Sequence, residues 1–229
     1  RDTDGGANWV VYTNPTQGSS NGMGADLYTE TPIFSQPSGN YTGSVSVAIT
    51  SSDAGATIRY TLDGSEPGNG SMLYSGPITI NNTSVLRAIC FTSTPNRLTS
   101  FIETNTYFID ETHYVKIISV CGGDQGGDGV MDLLNDNLGW FGDDPVGHLE
   151  LFDKDMNLLS EGSGDFNKHG NDSWSYDQRG FDYITRDQYG YNYAVVDTIF
   201  NGKDRPSFQR LILKAAASDN YPFEWGGAH

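Results

Sequence analysis

The sequence predicts a mainly β protein, an antiparallel β-sandwich followed by a β-rich α+β domain. Three observations predict it. Apolar and polar residues alternate with period two in several short runs; Gly, Pro and Asn clusters separate those runs; and no helical periodicity interrupts residues 31–110. The 28 Gly and 13 Tyr among 229 residues are the mixture expected of short strands joined by tight turns. A hydrophobic content of 36% against 18% charged residues is a folding composition, and the length suits two domains.

Residues 1–30 read as the end of a preceding domain and a linker. Trp9-Val10-Val11-Tyr12 is their one apolar patch, set among Gly5-Gly6, Asn14-Pro15 and Gly18-Ser19-Ser20-Asn21-Gly22. Residues 31–110 carry the clearest alternation, in Val45 to Thr50, Thr57 to Leu62, Ser84 to Phe91 and Thr106 to Ile109. Half-buried strands at that density bury their inner faces on one another as two packed sheets. Residues 111–229 form the second domain, with a nearly continuous β run at Tyr114 to Val120 and a glycine and aspartate loop at Gly122 to Gly129. A short helix is expected at Val130 to Asn135, and further strands at His148 to Phe152, Phe181 to Thr185 and Phe208 to Lys214.

Charge excludes several functions. A formal net charge of -16 repels phosphate backbones and anionic lipid, which are bound by clustered Lys and Arg, so nucleic acid is not an expected partner. No apolar run is long enough to cross a bilayer as a helix. Cys90 and Cys121 are the only cysteines. They either bridge the two halves or stand as buried free thiols, because sequence does not fix the distance between their Cα atoms.

The most specific string is Ile58-Arg59-Tyr60-Thr61-Leu62-Asp63-Gly64-Ser65-Glu66-Pro67, a strand running into a sharp Asp-Gly turn and a Pro that stops further pairing. With Pro32-Ile33-Phe34-Ser35, Ser38-Gly39-Asn40-Tyr41, Tyr74-Ser75-Gly76-Pro77-Ile78 and Leu86-Arg87-Ala88, it resembles the chitobiase/β-hexosaminidase C-terminal domain family over about residues 31–109. The resemblance implies an immunoglobulin-like accessory sandwich of secreted proteins without catalytic residues of its own. An acid/base pair made of Asp63 and Glu66 would need a cleft and a defined carboxyl separation, which the rim of a hairpin seldom provides.

Two further resemblances extend along the chain. The segment Trp9 to Asn21 is similar to the closing part of bacterial lamin-tail domains. The second half resembles the N-terminal part of the spore-coat (CotH-like) kinase family through His148-Leu149-Glu150-Leu151-Phe152-Asp153, Lys168-His169-Gly170, Tyr183 to Gly190 and Ser207 to Leu213. That resemblance implies an incomplete domain, since the family's metal-binding aspartates fall beyond His229. The early-strand lysine is also missing, with Gln178-Arg179-Gly180 near its place, and Arg does not replace Lys in phosphate contacts.

Candidate ligands for a cation are Asp124, Asp128 and Asp132, whose carboxylates on a glycine-rich loop suit calcium, although the spacing is not that of the helix-loop-helix site. Asp153-Lys154-Asp155-Met156-Asn157 begins like that site, but Leu158 stands where it requires glycine, so a hairpin turn is the competing reading. The four histidines are scattered without zinc-ligand spacing. The expected function is that of a non-catalytic structural or adhesive segment of a large extracellular or cell-surface bacterial protein, open to self-association into a fibre through exposed strand edges. A fragment of an extracellular kinase is one alternative. A module binding cell-surface carbohydrate is the other, and it requires two or three coplanar exposed aromatics on one sheet face.

Overall fold

The computed structural model describes residues 7–12, 18–20, 24–123, 129–130, 144–169, 180–199, 202 and 204–214. Within them the chain is mainly β, as the alternation predicts.

One layer of the first module consists of two antiparallel pairs. Strand β2 (Ile33–Phe34) pairs with β5 (Ile49–Thr50), and β4 (Val45–Val47) with β8 (Ile78–Ile80). The other layer is a five-stranded sheet in the order β3 (Gly39–Tyr41), β11 (Glu103–Ile109), β9 (Ser84–Phe91), β6 (Thr57–Thr61), β7 (Met72–Leu73). Period-two alternation sends Val45, Val47 and Ile49 inward, where they meet Ile78, Ile80, Leu86, Ala88 and Tyr107. Each such burial contributes about 1.5–3 kcal/mol.

Two pairings depart from the antiparallel expectation. Strand β3 runs parallel to β11, and β1 (Leu27–Tyr28) runs parallel to β10 (Arg97–Leu98). Parallel neighbours need a long connection, and here the intervening strands of the sandwich supply it. Strand β1 lies in the stretch read as linker. It is fixed by Thr29, which is 1% exposed and donates its hydroxyl to the Leu98 carbonyl at 2.7 Å. Tyr28 stacks on Phe101 with ring centroids 4.6 Å apart.

The second module is a five-stranded antiparallel sheet in the order β12 (Ile117–Gly122), β13 (Val146–Phe152), β14 (Leu158–His169), β15 (Gly180–Thr185), β18 (Arg210–Leu213). A two-stranded pair, β16 (Val195–Val196) with β17 (Ser207–Phe208), adds Val195 to a core of Val130, Leu149, Leu151, Phe166 and Tyr183. Of the helix expected at Val130 to Asn135, Val130 is fully buried, and residues 131–135 lie outside the described residues. The β run expected from Tyr114 starts later, at Ile117, while Tyr114 and Val115 are exposed in the crossing between modules.

Strand β14 is the longest, at 12 residues, and its sequence carries little strand signal. Its glycines are needed because neighbours come too close for a side chain: the Thr185 side chain at Gly162 and backbone at Gly164. A Cβ on Gly164 would stand 2.1 Å from the Ile184 carbonyl oxygen.

Candidate functional site

The two five-stranded sheets meet face to face, and the meeting explains why β9 and β11 are buried almost continuously instead of alternately. On β11, Tyr107 points into the sandwich core while Thr106 and Phe108 meet the second module. On β13 the same division holds: Leu149 and Leu151 enter the second core, and Glu150 and Phe152 meet the sandwich. Phe108 packs edge-on against Phe152 with centroids 5.1 Å apart, and Met156 and Ile117 complete that apolar patch.

Glu150 is the centre of the joint and is 1% exposed. Its Oε1 accepts hydrogen bonds from Ser38 Oγ at 2.5 Å and from the Thr106 backbone N–H at 3.2 Å. Its Oε2 accepts the Thr106 hydroxyl, and that same Oγ1 lies 2.7 Å from Ser119 Oγ on β12. Burial pushes the Glu150 carboxyl above its usual range, against the opposing pull of His148 and of the Ser38 and Thr106 hydrogen bonds. The loop before β3 and strand β11 thus converge on one carboxyl group of β13, and β12 joins them through Ser119 on Thr106.

Two more contacts fasten the joint. Gly64, in the Asp-Gly turn, has φ 78°, and a Cβ there would lie 3.0 Å from Cβ of Cys121. Its carbonyl accepts Nη1 of Arg87 at 3.3 Å, and Arg87 Nε donates to Thr104 Oγ1 at 3.3 Å. Arg87 is 4% exposed, so its guanidinium serves the inside of the joint. Phe101 of the first module meets Tyr191 of the second edge-on at 5.2 Å.

The residues singled out from sequence fall elsewhere. Asp124, Asp128 and Asp132, the candidate calcium ligands, lie outside the described residues. Asp153 closes the β13–β14 hairpin: its Oδ1 accepts the N–H groups of Asp155 and Asn157, each at 2.9 Å, and its Oδ2 accepts Asn157 Nδ2. Those bonds hold its carboxyl below the usual range and fit the hairpin reading of that loop. Among the described residues no group of three His, Cys, Asp or Glu side chains could hold a metal ion.

Asp63 is likewise committed to its own turn, accepting Ser65 N–H at 3.0 Å and Ser65 Oγ at 2.5 Å, which lower its pKa. Cys90 and Cys121 are buried free thiols, the second of the two alternatives, and burial pushes the Cys121 thiol up to about 11. Trp9 is exposed, while Trp140, Trp174 and Trp225 lie outside the described residues. Beside the joint, Phe101 and Tyr191 are inclined at 86°, while Tyr28 stacks on Phe101 at 29°.

Sequence reasoning missed Glu150. It stands in an alternating strand where a polar residue is expected to face water, and nothing in the local pattern says that a second module covers that face. The buried polar run Thr104, Asn105 and Thr106 carried a weak hint, since a solvent-facing strand rarely buries three successive polar side chains.

Fold and joint together define a protein of two β modules united by a buried polar interface. Comparison with known families adds a likeness for part of it: residues 36–102 match the family model of the chitobiase/beta-hexosaminidase C-terminal domain. The matched span holds most of the sandwich and stops just before β11, the strand that carries Thr106. No curated protein matches the chain. No helix among the described residues is long and apolar enough to cross a membrane.

Proposed function

We propose that this chain is a non-catalytic structural segment of a larger extracellular or cell-surface protein, in which an accessory sandwich and a second β module act as one stiff unit. The observation that carries the reading is Glu150, buried and hydrogen-bonded between the modules. A flexible tether between independent domains would leave that carboxylate in water, because burying it without partners costs several kcal/mol. Stiffness is what a spacer or an adhesive stalk requires, and the family match at residues 36–102 supports an accessory role for the sandwich. The turn residues Asp63 and Asp153, taken up by their own loops, favour a structural over a catalytic role. Among the described residues strand β18 is an edge of the second sheet with Ile212 exposed, an edge on which another chain could add a strand in a fibre.

Small-angle scattering on the full chain tests this. One rigid shape, unchanged from low to high salt, is the expected result. A distribution of module separations would remove the basis for a spacer role.

A second reading, attachment to cell-surface carbohydrate, draws on the same family match, since enzymes of that family's name act on sugars. It would be tested by retention of the chain on insoluble polysaccharide.

A further inference from the structure

Beside the joint lies a cavity of about 230 Å³ between the modules, walled by Tyr189, Tyr191, Asn192 and, at its polar end, Glu103, His148 and Glu161. Among the described residues its lining includes no Lys or Arg. His148 is 6% exposed. Its Nδ1 lies 3.0 Å from Ser163 Oγ, which leaves Nε2 to face the carboxylates. Nε2 is buried without a hydrogen-bond partner, 3.7 Å from Glu161 Oε2, too far for a hydrogen bond. A donor bound in the cavity would supply the hydrogen bond that no protein group gives this nitrogen.

The chemistry of the missing partner follows from the set. Glu103 and Glu161 accept only when ionised, and His148 Nε2 accepts when Nδ1 carries the proton and donates it to Ser163. A bare metal ion fits poorly, since among the described residues no three such side chains are placed to ligate one. An ammonium group carries three donors and one positive charge, and the aromatic wall of Tyr189 and Tyr191 suits the carbon body behind it. A cavity below the usual 300 Å³ or so of drug-sized pockets limits the ligand to a small molecule.

We propose that this cavity binds a primary ammonium group on a small polar molecule, with Oε2 of Glu161 and Nε2 of His148, 3.7 Å apart, accepting two of its N–H bonds and the Glu103 carboxyl close enough to feel its charge. Charge-assisted bonds of this kind are about twice as strong as neutral ones. Burial, with Glu161 and Glu150 nearby, pushes the Glu103 carboxyl up to about 7. A bound cation favours the ionised carboxylate, so binding near neutral pH releases a proton and strengthens as pH rises from 6 to 8.

Calorimetric titration of the full chain with ethanolamine tests this, with choline and calcium chloride as comparators. The expected result is saturable binding of ethanolamine to one site, tighter at pH 8 than at pH 6. Glu161→Gln should weaken it roughly tenfold, as loss of a charge-assisted bond implies. Proton release, read from the difference between two buffers of unlike ionisation heat, should disappear in Glu103→Gln, which serves as the second variant should Glu161→Gln fold poorly. Three results would overturn the proposal: no binding of ethanolamine, binding unaffected by either variant, or equal binding of choline or calcium.

Discussion

Glu150 and Thr106 stand 44 residues apart in sequence, on different sheets, yet the Glu150 carboxylate accepts both the hydroxyl and the backbone N–H of Thr106. With Ser38 bonded to the same carboxylate, one side chain of the second module satisfies three donors of the first. Replacing it therefore leaves the buried Ser38 hydroxyl without its acceptor, which costs more than the bond itself contributes.

Glu150→Ala should lower the stability of the whole chain by roughly 2–4 kcal/mol, through the stranded Ser38 hydroxyl, the lost bond to the Thr106 hydroxyl and a small cavity, while the Thr106 N–H keeps Ser38 Oγ at 3.2 Å. Glu150→Gln keeps the shape and one acceptor and should cost less than half as much. Urea denaturation followed by tryptophan fluorescence measures both. Equal, small losses would mean that water reaches the joint.

The Glu103 carboxyl is raised from 4.5 to about 7, so the folded state holds its proton more tightly than the unfolded chain. Its contribution is fully present below pH 4.5 and is lost as pH rises through about 7. Melting temperature should therefore fall between pH 5 and pH 8 by several degrees. Glu150 is shifted in the same direction, so Glu103→Gln should flatten the slope without abolishing it. A melting temperature that rises over this interval would contradict the burial of these acids.

Gly64 combines a left-handed backbone with the 3.0 Å approach to Cys121. Gly64→Ala should cost about 1–3 kcal/mol, since strain and contact act together. Gly55 has a similar φ of 79° and open space around it, so Gly55→Ala should cost distinctly less. Thermal melts of the two variants provide the comparison.

Cys90 and Cys121 are both buried and unbridged. Neither should react with a thiol reagent within minutes in native buffer, and both should react in denaturant without added reductant. Failure to react in denaturant would reveal a bridge.

Much of the sandwich was legible in the sequence because its signals are local. Val45, Val47 and Ile49 alternate with polar residues and do face one core. Gly64 was expected to adopt positive φ and does. The hairpin at Asp153 to Asn157 was readable for the same reason, since every bond that closes it lies within five residues. Strand β14 escaped notice because Gly162 and Gly164 answer to neighbours on β15, not to their own strand. The joint was illegible on like grounds. His148 and Glu150 occupy positions that a half-exposed strand gives to polar residues, and only the packing of one sheet on the other makes them interior. Segment β1 was hidden too, because a two-residue strand pairing with β10 leaves no periodicity to detect.

The central claim is that the buried carboxyl of Glu150 joins two modules into one cooperative unit, and scanning calorimetry of the full chain tests it most directly. A single transition whose calorimetric and van't Hoff enthalpies agree is the predicted result, with Glu150→Ala separating it into two. Two independent transitions in the unaltered protein would contradict the claim.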